Sequence, residues 1–138
     1  MMLFLAHIAG ISAYGQLSGT LVIGPSPSDD YPTFAAAVTA LHSQGISGDV
    51  VFDVKPGVYT EQISVNQIMG AGPAAAITFR AQNGDSTAVV LQYPSSSSSA
   101  NNYVVRLNGA DYVTFDKISI KRTDTLKYCQ VIEFYGSA

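Results

Sequence analysis

Residues 48–65, GDVVFDVKPGVYTEQISV, decide the fold that we predict for this chain. The stretch predicts a strand at 50–54, a tight turn at Lys55-Pro56-Gly57, a connector at 58–61 and a second strand at 62–65. Proline fixes φ at about −65°, and glycine supplies the positive φ of a type II turn. We therefore expect the chain to reverse direction here, between two strands.

Strands of both types recur downstream at a nearly constant spacing. One ladder of apolar segments is centred on positions 51, 77, 104 and 131, with steps of 26 (77−51), 27 (104−77) and 27 (131−104). A second ladder starts at 63, 89 and 113, with steps of 26 (89−63) and 24 (113−89). The turns at Asn83-Gly84 and Asn108-Gly109 are predicted to occupy matching places in successive coils. Two ladders that share one period indicate a stacked solenoid, in which each coil covers the apolar face of the previous coil.

One amphipathic helix is predicted at residues 31–44, directly ahead of the first coil. Asp29 or Asp30 is expected to cap its N-terminus, and Gly45 is expected to end it. Its apolar face follows the i, i+3, i+4, i+7 spacing and consists of Phe34, Ala37, Val38 and Leu41. Because the end of a solenoid exposes apolar side chains and strand edges, we interpret this helix as the N-terminal cap.

The composition excludes several classes of partner. The 138 residues are 47% hydrophobic and 12% charged, with a net charge of −3. Seven Lys and Arg dispersed along the chain do not form the basic face that nucleic acid requires. No stretch approaches the roughly 20 apolar residues of a membrane-spanning helix. The single cysteine, Cys129, allows no internal disulfide, and we interpret it as a buried thiol, with intermolecular pairing as the alternative.

The sequence divides into three regions. Residues 1–15 are predicted to be a signal peptide, because residues 3–9 are apolar and Ala13-Tyr14-Gly15 places small residues at a cleavage site. No Lys or Arg precedes the apolar run, and the alternative is a buried N-terminal strand or helix of a cytosolic protein. Residues 16–47 hold an N-terminal strand and the capping helix, and residues 48–138 hold the first three to four coils. The last coil ends part-way round, so we expect a truncated solenoid, with further coils or domains of the same chain after Ala138.

These segments resemble a known superfamily. A helix that starts at Pro32-Thr33-Phe34, a Val-rich strand and then residues 55–61, KPGVYTE, resemble the opening coil of the pectin-lyase-like right-handed parallel β-helix proteins. Pectinesterases carry a similar helix and a similar Pro-Gly-x-Tyr-x-Glu segment. Large secreted bacterial β-helix proteins combine such a cap with repeats similar to residues 108–115. The resemblance implies an all-β, right-handed parallel β-helix with an N-terminal capping helix, in a secreted or cell-surface protein.

The sequence offers no convergent set of catalytic residues. The resemblance to pectinesterases implies two catalytic aspartates, an arginine and glutamines on central coils, and no stretch of this chain matches those motifs. A calcium-assisted lyase needs several carboxylates around a cation, for which the candidates by residue type are Asp53, Asp85, Asp111, Asp116 and Asp124. Asp85 and Asp111 are expected to stack in neighbouring coils, although Asp is also an ordinary turn residue. His7 lies in the predicted signal peptide and His42 on the capping helix, so neither a metal cluster nor a His-based triad is available. We therefore predict no catalytic, cofactor-binding or metal-binding residues, and no cofactor.

Two sets of surface residues have an alternative interpretation. Tyr93, Tyr103, Tyr112 and Tyr128 either line a sugar-binding face or pack between coils, and we favour packing. The serine run at 95–99 is expected to leave the coil as a flexible loop, because it has nothing to bury.

Three functional hypotheses follow. The leading one is a secreted or cell-surface β-helix with a non-catalytic scaffold or adhesion role and contact with polysaccharide. The competing one is the N-terminal section of a carbohydrate-active enzyme (pectinesterase, polysaccharide lyase or glycoside hydrolase), whose active site lies in further coils. The third is a small self-contained β-sandwich.

Overall fold

The computed structural model of the chain describes residues 15–124 and 130–136. Nearly all of the predicted signal peptide lies outside these residues, as do His7, Tyr128 and Cys129. The elements in chain order are β1 (Leu17–Ile23), α1 (Phe34–Gln44), β2 (Ile46–Val54), β3 (Gly57–Thr60), β4 (Ile63–Asn66), β5 (Ile77–Ala81), β6 (Val89–Tyr93), a 3₁₀ turn (Ser99–Asn101), β7 (Val105–Asn108), β8 (Val113–Asp116), β9 (Ser119–Arg122) and β10 (Ile132–Tyr135).

The strands form three parallel sheets. The first sheet has the order β1-β2-β5-β8, the second β3-β6-β9 and the third β4-β7-β10. Each coil contributes one strand to each sheet: β2, β3 and β4 form the first coil, β5, β6 and β7 the second, and β8, β9 and β10 the third. The chain is therefore a right-handed parallel β-helix, and the predicted fold class is confirmed. A β-sandwich is excluded, because its sheets are antiparallel.

The predicted ladders are only partly correct. Val50 pairs with Ile77, and Val105 pairs with Ile132, as the first ladder requires. However, Ile77 pairs with Val113 rather than with residue 104, because the strand at 105 lies in the third sheet. The second ladder is wrong, since residues 63, 89 and 113 belong to three different sheets.

The error has a physical origin in coil length. Each coil has three strands instead of two. Strand β3 (Gly57–Thr60) replaces the last residue of the predicted turn and most of the connector predicted at 58–61. The step along the chain from Val50 to its partner Ile77 is 77−50=27, but the step from Ile77 to its partner Val113 is 113−77=36. The longer second coil contains the segment with the serine run, between β6 and β7. A constant spacing along the sequence therefore joined strands of different sheets.

The turn chemistry also differs from the prediction. Gly57 does not have a positive φ and is the first residue of β3, so Lys55-Pro56-Gly57 is a corner between two sheets and not a type II reversal. Gly84 and Gly109 do have positive φ, but Gly84 follows β5 whereas Gly109 follows β7. The two Asn-Gly turns thus occupy different corners, and the residue that corresponds to Gly109 is Gly136, after β10.

The helix has the predicted apolar face but a different cap. Thr33 is the N-cap, and its hydroxyl accepts a hydrogen bond from the amide of Ala36 at 3.1 Å. Asp29 instead accepts from the amide of Ser26 in the preceding loop, and Asp30 accepts from the amide of Val22 in β1. Gly45 ends the helix with φ 67°. All four predicted residues of the apolar face, Phe34, Ala37, Val38 and Leu41, are buried.

The interior is a continuous column of side chains from successive coils. Phe52, Phe79 and Phe115 occupy the same register of the first sheet, and their rings stack with centroids 4.8 and 5.2 Å apart. Phe34 of the helix adds a ring centroid 5.7 Å from that of Phe79. The helix is thus fixed to the solenoid through its core.

The serine-rich segment is attached to the coil. Both the amide and the hydroxyl of Ser95 donate to the carboxylate of Asp124, and the amide of Ser96 donates to the side chain of Asn102. Asn102 is itself buried and also accepts from Arg122 at 2.6 Å. The prediction of a loop with nothing to bury overlooked this polar anchor.

Candidate functional site

The outer surface of the first sheet carries a row of charged side chains. Asp53, Arg80 and Asp116 follow one another at the same register on β2, β5 and β8. The Nε of Arg80 donates to Asp53 at 2.5 Å, and 46% of the arginine side chain is exposed. This hydrogen bond, the charge of Asp53 and then the charge of Asp116 raise the pKa of Arg80. We call these three residues the charged row.

A second row of residues and one tyrosine lie beside the charged row. Val51, Thr78 and Thr114 form a parallel row two positions earlier on the strands, which we call the threonine row. Tyr112, just before β8, has 48% of its surface exposed and a φ of 58°, which is uncommon for a residue with a side chain. Its carbonyl accepts from the amide of Ile77 at 2.8 Å, so the strand pairing holds it in this conformation. We call the charged row, the threonine row and Tyr112 the first-sheet face.

The groups of the first-sheet face can form hydrogen bonds with a ligand. The first-sheet face offers hydroxyls, carboxylates and a guanidinium on one sheet, with the exposed side chain of Tyr112 at the start of β8. Such groups can donate to and accept from the hydroxyls of a sugar, while the ring contacts the apolar face of a pyranose. Asp53 and Asp116 are separated by two strand spacings, roughly 10 Å, with Arg80 between them.

The other aspartates of the sequence do not join this row. Asp85 accepts from the amide and hydroxyl of Thr87 in the corner after β5, and these hydrogen bonds lower its pKa. Asp111 lies in the corner before β8. Because β5 and β8 run parallel, the end of β5 and the start of β8 lie at opposite ends of the paired strands. The expected stacking of Asp85 on Asp111 is therefore wrong. Within the described ranges, no group of three or more His, Cys, Asp or Glu is placed to hold a metal ion.

The residues of the KPGVYTE segment have structural roles. Glu61 accepts from the amides of Phe34 and Ala35 at the N-terminus of the helix, each at 3.0 Å. The hydroxyl of Tyr59 donates to the carbonyl of Lys55, and the Tyr59 ring packs edge-on against Phe34. The ammonium of Lys55 pairs with Asp29 at 2.6 Å, which lowers the pKa of Asp29. This segment fixes the cap on the first coil.

Arg106 is enclosed on the third sheet and is not available as an anion-binding residue. Its guanidinium lies 3.9 Å from the ring centroid of Tyr103 and 5.4 Å from that of Tyr135. It also pairs with Glu133 and donates to the carbonyl of Ala100. Tyr103 is thereby buried, and Tyr93 packs against the core, so of the three described tyrosine candidates only Tyr112 is available to a ligand.

A shallow groove of about 190 Å³ lies between the helix and β4. Its walls include Ala35, Val38, Thr39, His42, Gln62, Ile63 and Ser64. Nε2 of His42 accepts from the amide of Asn66 at 3.0 Å, and burial lowers the pKa of His42. The hydrogen bond between His42 and Asn66 therefore joins the capping helix to β4.

Sequence reasoning identified Asp53 and Asp116 only by residue type, and it missed Arg80. The pairing of Asp53 with Arg80 could have been predicted from the sequence. Their separation along the chain, 80−53=27, equals the step of the first coil. The position of Asp116 required the length of the second coil, which the serine-rich segment changes.

Comparisons with known proteins identify the fold. No known protein family and no curated protein matches the chain. Among solved structures, it is similar to the pectin methylesterase of Aspergillus niger, with a TM-score of 0.60 and 19% sequence identity. The match covers 88% of this chain and 43% of that chain, so the chain spans less than half the length of the methylesterase. Among the described residues, no helix is long and apolar enough to cross a membrane.

Proposed function

We propose that the chain belongs to a secreted or cell-surface β-helix protein, in which it is a non-catalytic scaffold or adhesion module that contacts polysaccharide. The observation that carries the proposal is the first-sheet face. Its charged row lies on the outer surface of a paired sheet, while Asp85 lies in a corner and Asp29 and Glu133 lie in other ion pairs. A rigid surface binds at a lower entropic cost, because its side chains are ordered before the ligand arrives.

The charges on this surface favour a neutral polysaccharide. Asp53 and Asp116 outnumber Arg80, and the exposed Asp49 accepts from the amide of Ala76 at the start of β5 on the same sheet. A polyuronate brings a negative charge with each uronate residue, so it meets like charges here. The pectin backbone is therefore a poorer fit than an uncharged glycan.

The test is a glycan array probed with the whole chain and with two variants. Arg80→Ala and Tyr112→Ala are expected to weaken binding to a neutral polysaccharide at least five-fold, because each removes a contact group on the first-sheet face. Lys121→Ala is the matched control, since Lys121 is exposed on the second sheet. Binding that is lost equally in the control, or no binding to any neutral or acidic polysaccharide, contradicts the proposal.

A second candidate is the N-terminal section of a carbohydrate-active enzyme, such as a pectinesterase, polysaccharide lyase or glycoside hydrolase. Its support is the likeness in fold to the pectin methylesterase, together with the resemblance of the KPGVYTE segment. An assay of the full-length protein for methanol, unsaturated products or new reducing ends released from pectin discriminates the two candidates. The scaffold proposal predicts no release, whereas release that survives purification supports the enzyme.

A further inference from the structure

Two residues at the ends of β8 have an uncommon backbone conformation. Among the residues that the structure describes, Tyr112 and Lys117 are the two non-glycine residues with positive φ, at 58° and 53°. Tyr112 directly precedes β8, and Lys117 directly follows it. In this left-handed region the Cβ atom crowds the backbone carbonyl, so residues with a side chain rarely adopt it. Strand β8 therefore begins and ends beside a strained residue.

Glycine takes the positive φ in the corners on either side of β5, the neighbouring strand of the same sheet. Gly70, in the corner before β5, has a φ of 90°, and Gly84, in the corner after β5, has a φ of 71°. Glycine has no Cβ atom and adopts this conformation without a clash. The corners around β8 keep positive φ but carry the large side chains of Tyr112 and Lys117. Because strained residues concentrate at functional sites, this points to a role for the side chains themselves.

The side chain of Lys117 is available to a ligand. The residue is exposed, and within the described part of the chain its ammonium forms no hydrogen bond or ion pair. By contrast, the ion pairs of the described residues engage Lys55, Arg80 and Arg106. The ammonium of Lys117 lies beside the corner after β5, where a Cβ atom added to Gly84 would be 3.7 Å from Nζ. Its three N–H donors therefore lie at one end of the first sheet without an acceptor.

An exposed line of side chains joins these two residues. Thr114 and Asp116 point outward from β8 and are exposed, whereas the alternate residues of the strand pack against the core. Tyr112, Thr114, Asp116 and Lys117 thus follow one another along the outer side of one strand, and we call them the β8 line. Five residue steps of a strand span roughly 17 Å. This length accommodates several sugar rings in a row.

We infer that the polysaccharide lies along β8, with a sugar ring against Tyr112 and a sugar hydroxyl bonded to the ammonium of Lys117. The inference rests on the proposed polysaccharide contact, and adds the direction of the ligand and a second end residue. Arg80 lies one strand spacing away on β5, about 5 Å, and contacts the same ligand from the side. A ligand that instead crosses β2, β5 and β8 in turn has no need of strained residues at both ends of β8.

The test begins with Lys117→Gly in the 138-residue chain. This variant removes the ammonium and introduces the residue that best tolerates positive φ, so its thermal unfolding midpoint is expected to equal or exceed that of the parent chain. Its Kd for neutral hexasaccharides of glucose, xylose, mannose or galactose, measured by titration calorimetry, is expected to rise roughly five-fold or more, as for a lost hydrogen bond. Tyr112→Gly is expected to weaken binding to a similar extent. Lys117→Arg keeps a cationic donor, and its Kd is expected to stay within about two-fold.

The direction of the ligand is tested with Val51→Arg. Val51 lies on β2 in the threonine row, two strand spacings from β8. The larger side chain obstructs a ligand that crosses the strands, but it does not reach a ligand that follows β8. We therefore expect the Kd to change by less than about two-fold in Val51→Arg, as in the Lys121→Ala control on the second sheet.

Three outcomes overturn the inference and leave the proposed function in place. The first is a Lys117→Gly chain that binds as tightly as the parent chain. The second is a lower unfolding midpoint in Lys117→Gly, which assigns the side chain a structural role. The third is loss of binding in Val51→Arg, which places the ligand across the strands. A parent chain that binds none of the hexasaccharides contradicts the inference together with the proposed function.

Discussion

The carboxylate of Glu61 accepts hydrogen bonds from the amides of Phe34 and Ala35, although these residues precede it by 27 and 26 positions. The contact joins the end of β3 to the N-terminus of α1, where the first backbone amides have no partner within the helix. It also places a negative charge at the positive end of the helix dipole. The cap is therefore held by these charge-assisted hydrogen bonds as well as by its apolar face.

Replacing Glu61 by Ala is expected to reduce the free energy of unfolding by about 1–2 kcal/mol, because two amides lose their charged acceptor. Urea denaturation monitored by circular dichroism measures the change. Asp111→Ala is the matched control, since this exposed carboxylate lies in a corner, and a shift within about 0.5 kcal/mol is expected there. Equal effects of the two substitutions would show that Glu61 does not hold the helix.

The helix and its buried face could be predicted from residues 31–45, whereas the hydrogen bonds at its N-terminus could not. The spacing of Phe34, Ala37, Val38 and Leu41 is a local property of the sequence, and so is the ending at Gly45. The choice of Thr33 over the two aspartates depends on where the preceding loop places them, beside Val22 and Ser26. The partner of Glu61 depends on a contact across the first coil, which local patterns do not encode.

Phe79→Ala is expected to cost about 3–5 kcal/mol of stability, because this fully buried ring lies between Phe52 and Phe115. Phe134→Ala makes the same chemical change at a side chain that is 81% exposed. There we expect less than about 0.5 kcal/mol. A cost at Phe134 comparable to that at Phe79 would indicate that Phe134 is covered, and would contradict the exposure of its side chain.

Acid is expected to weaken the docking of the cap through His42. Burial lowers its pKa below 6.5, and its Nε2 must be unprotonated to accept from Asn66. The unfolded chain therefore binds a proton at a higher pH than the folded chain does, so stability falls as pH falls below 6.5 and towards the folded-state pKa. The measurement is the denaturation midpoint between pH 7.5 and 5, compared with that of His42→Gln. A difference between the two proteins that stays constant over this range would refute the role of His42.

The registers of the sheets were the part of the fold that could not be predicted from the sequence. Strands at 51, 77, 104 and 131 are visible as apolar segments, but their assignment to sheets requires the count of strands in each coil. Gly57–Thr60 contains one inward apolar residue, Tyr59, and is too short to stand out as a strand. The segment between β6 and β7 then lengthens the second coil, which is why Asp116 was not recognised as the neighbour of Arg80.

Export of the protein remains a prediction from residues 1–15. Expression of the chain in a bacterium with an active secretion system is expected to give a periplasmic or extracellular product that begins at Gln16, as read by mass spectrometry. Ala13→Arg removes the small residue three positions before the cleaved bond, and is expected to block processing. An intracellular product that retains Met1 would favour the cytosolic alternative.

Disulfide trapping tests the three-sheet register most directly. Thr78 and Thr114 are paired on the outer surface of the first sheet, and parallel strands bring such residues within about 5 Å, which suits a disulfide. In a Cys129→Ser background, the Thr78→Cys, Thr114→Cys chain is expected to oxidise rapidly to an internal disulfide. The Thr78→Cys, Ser64→Cys chain, with its cysteines on different sheets, is expected to stay reduced. Oxidation of the second pair without the first would contradict the stacking of β5 on β8, and with it the arrangement of the coils.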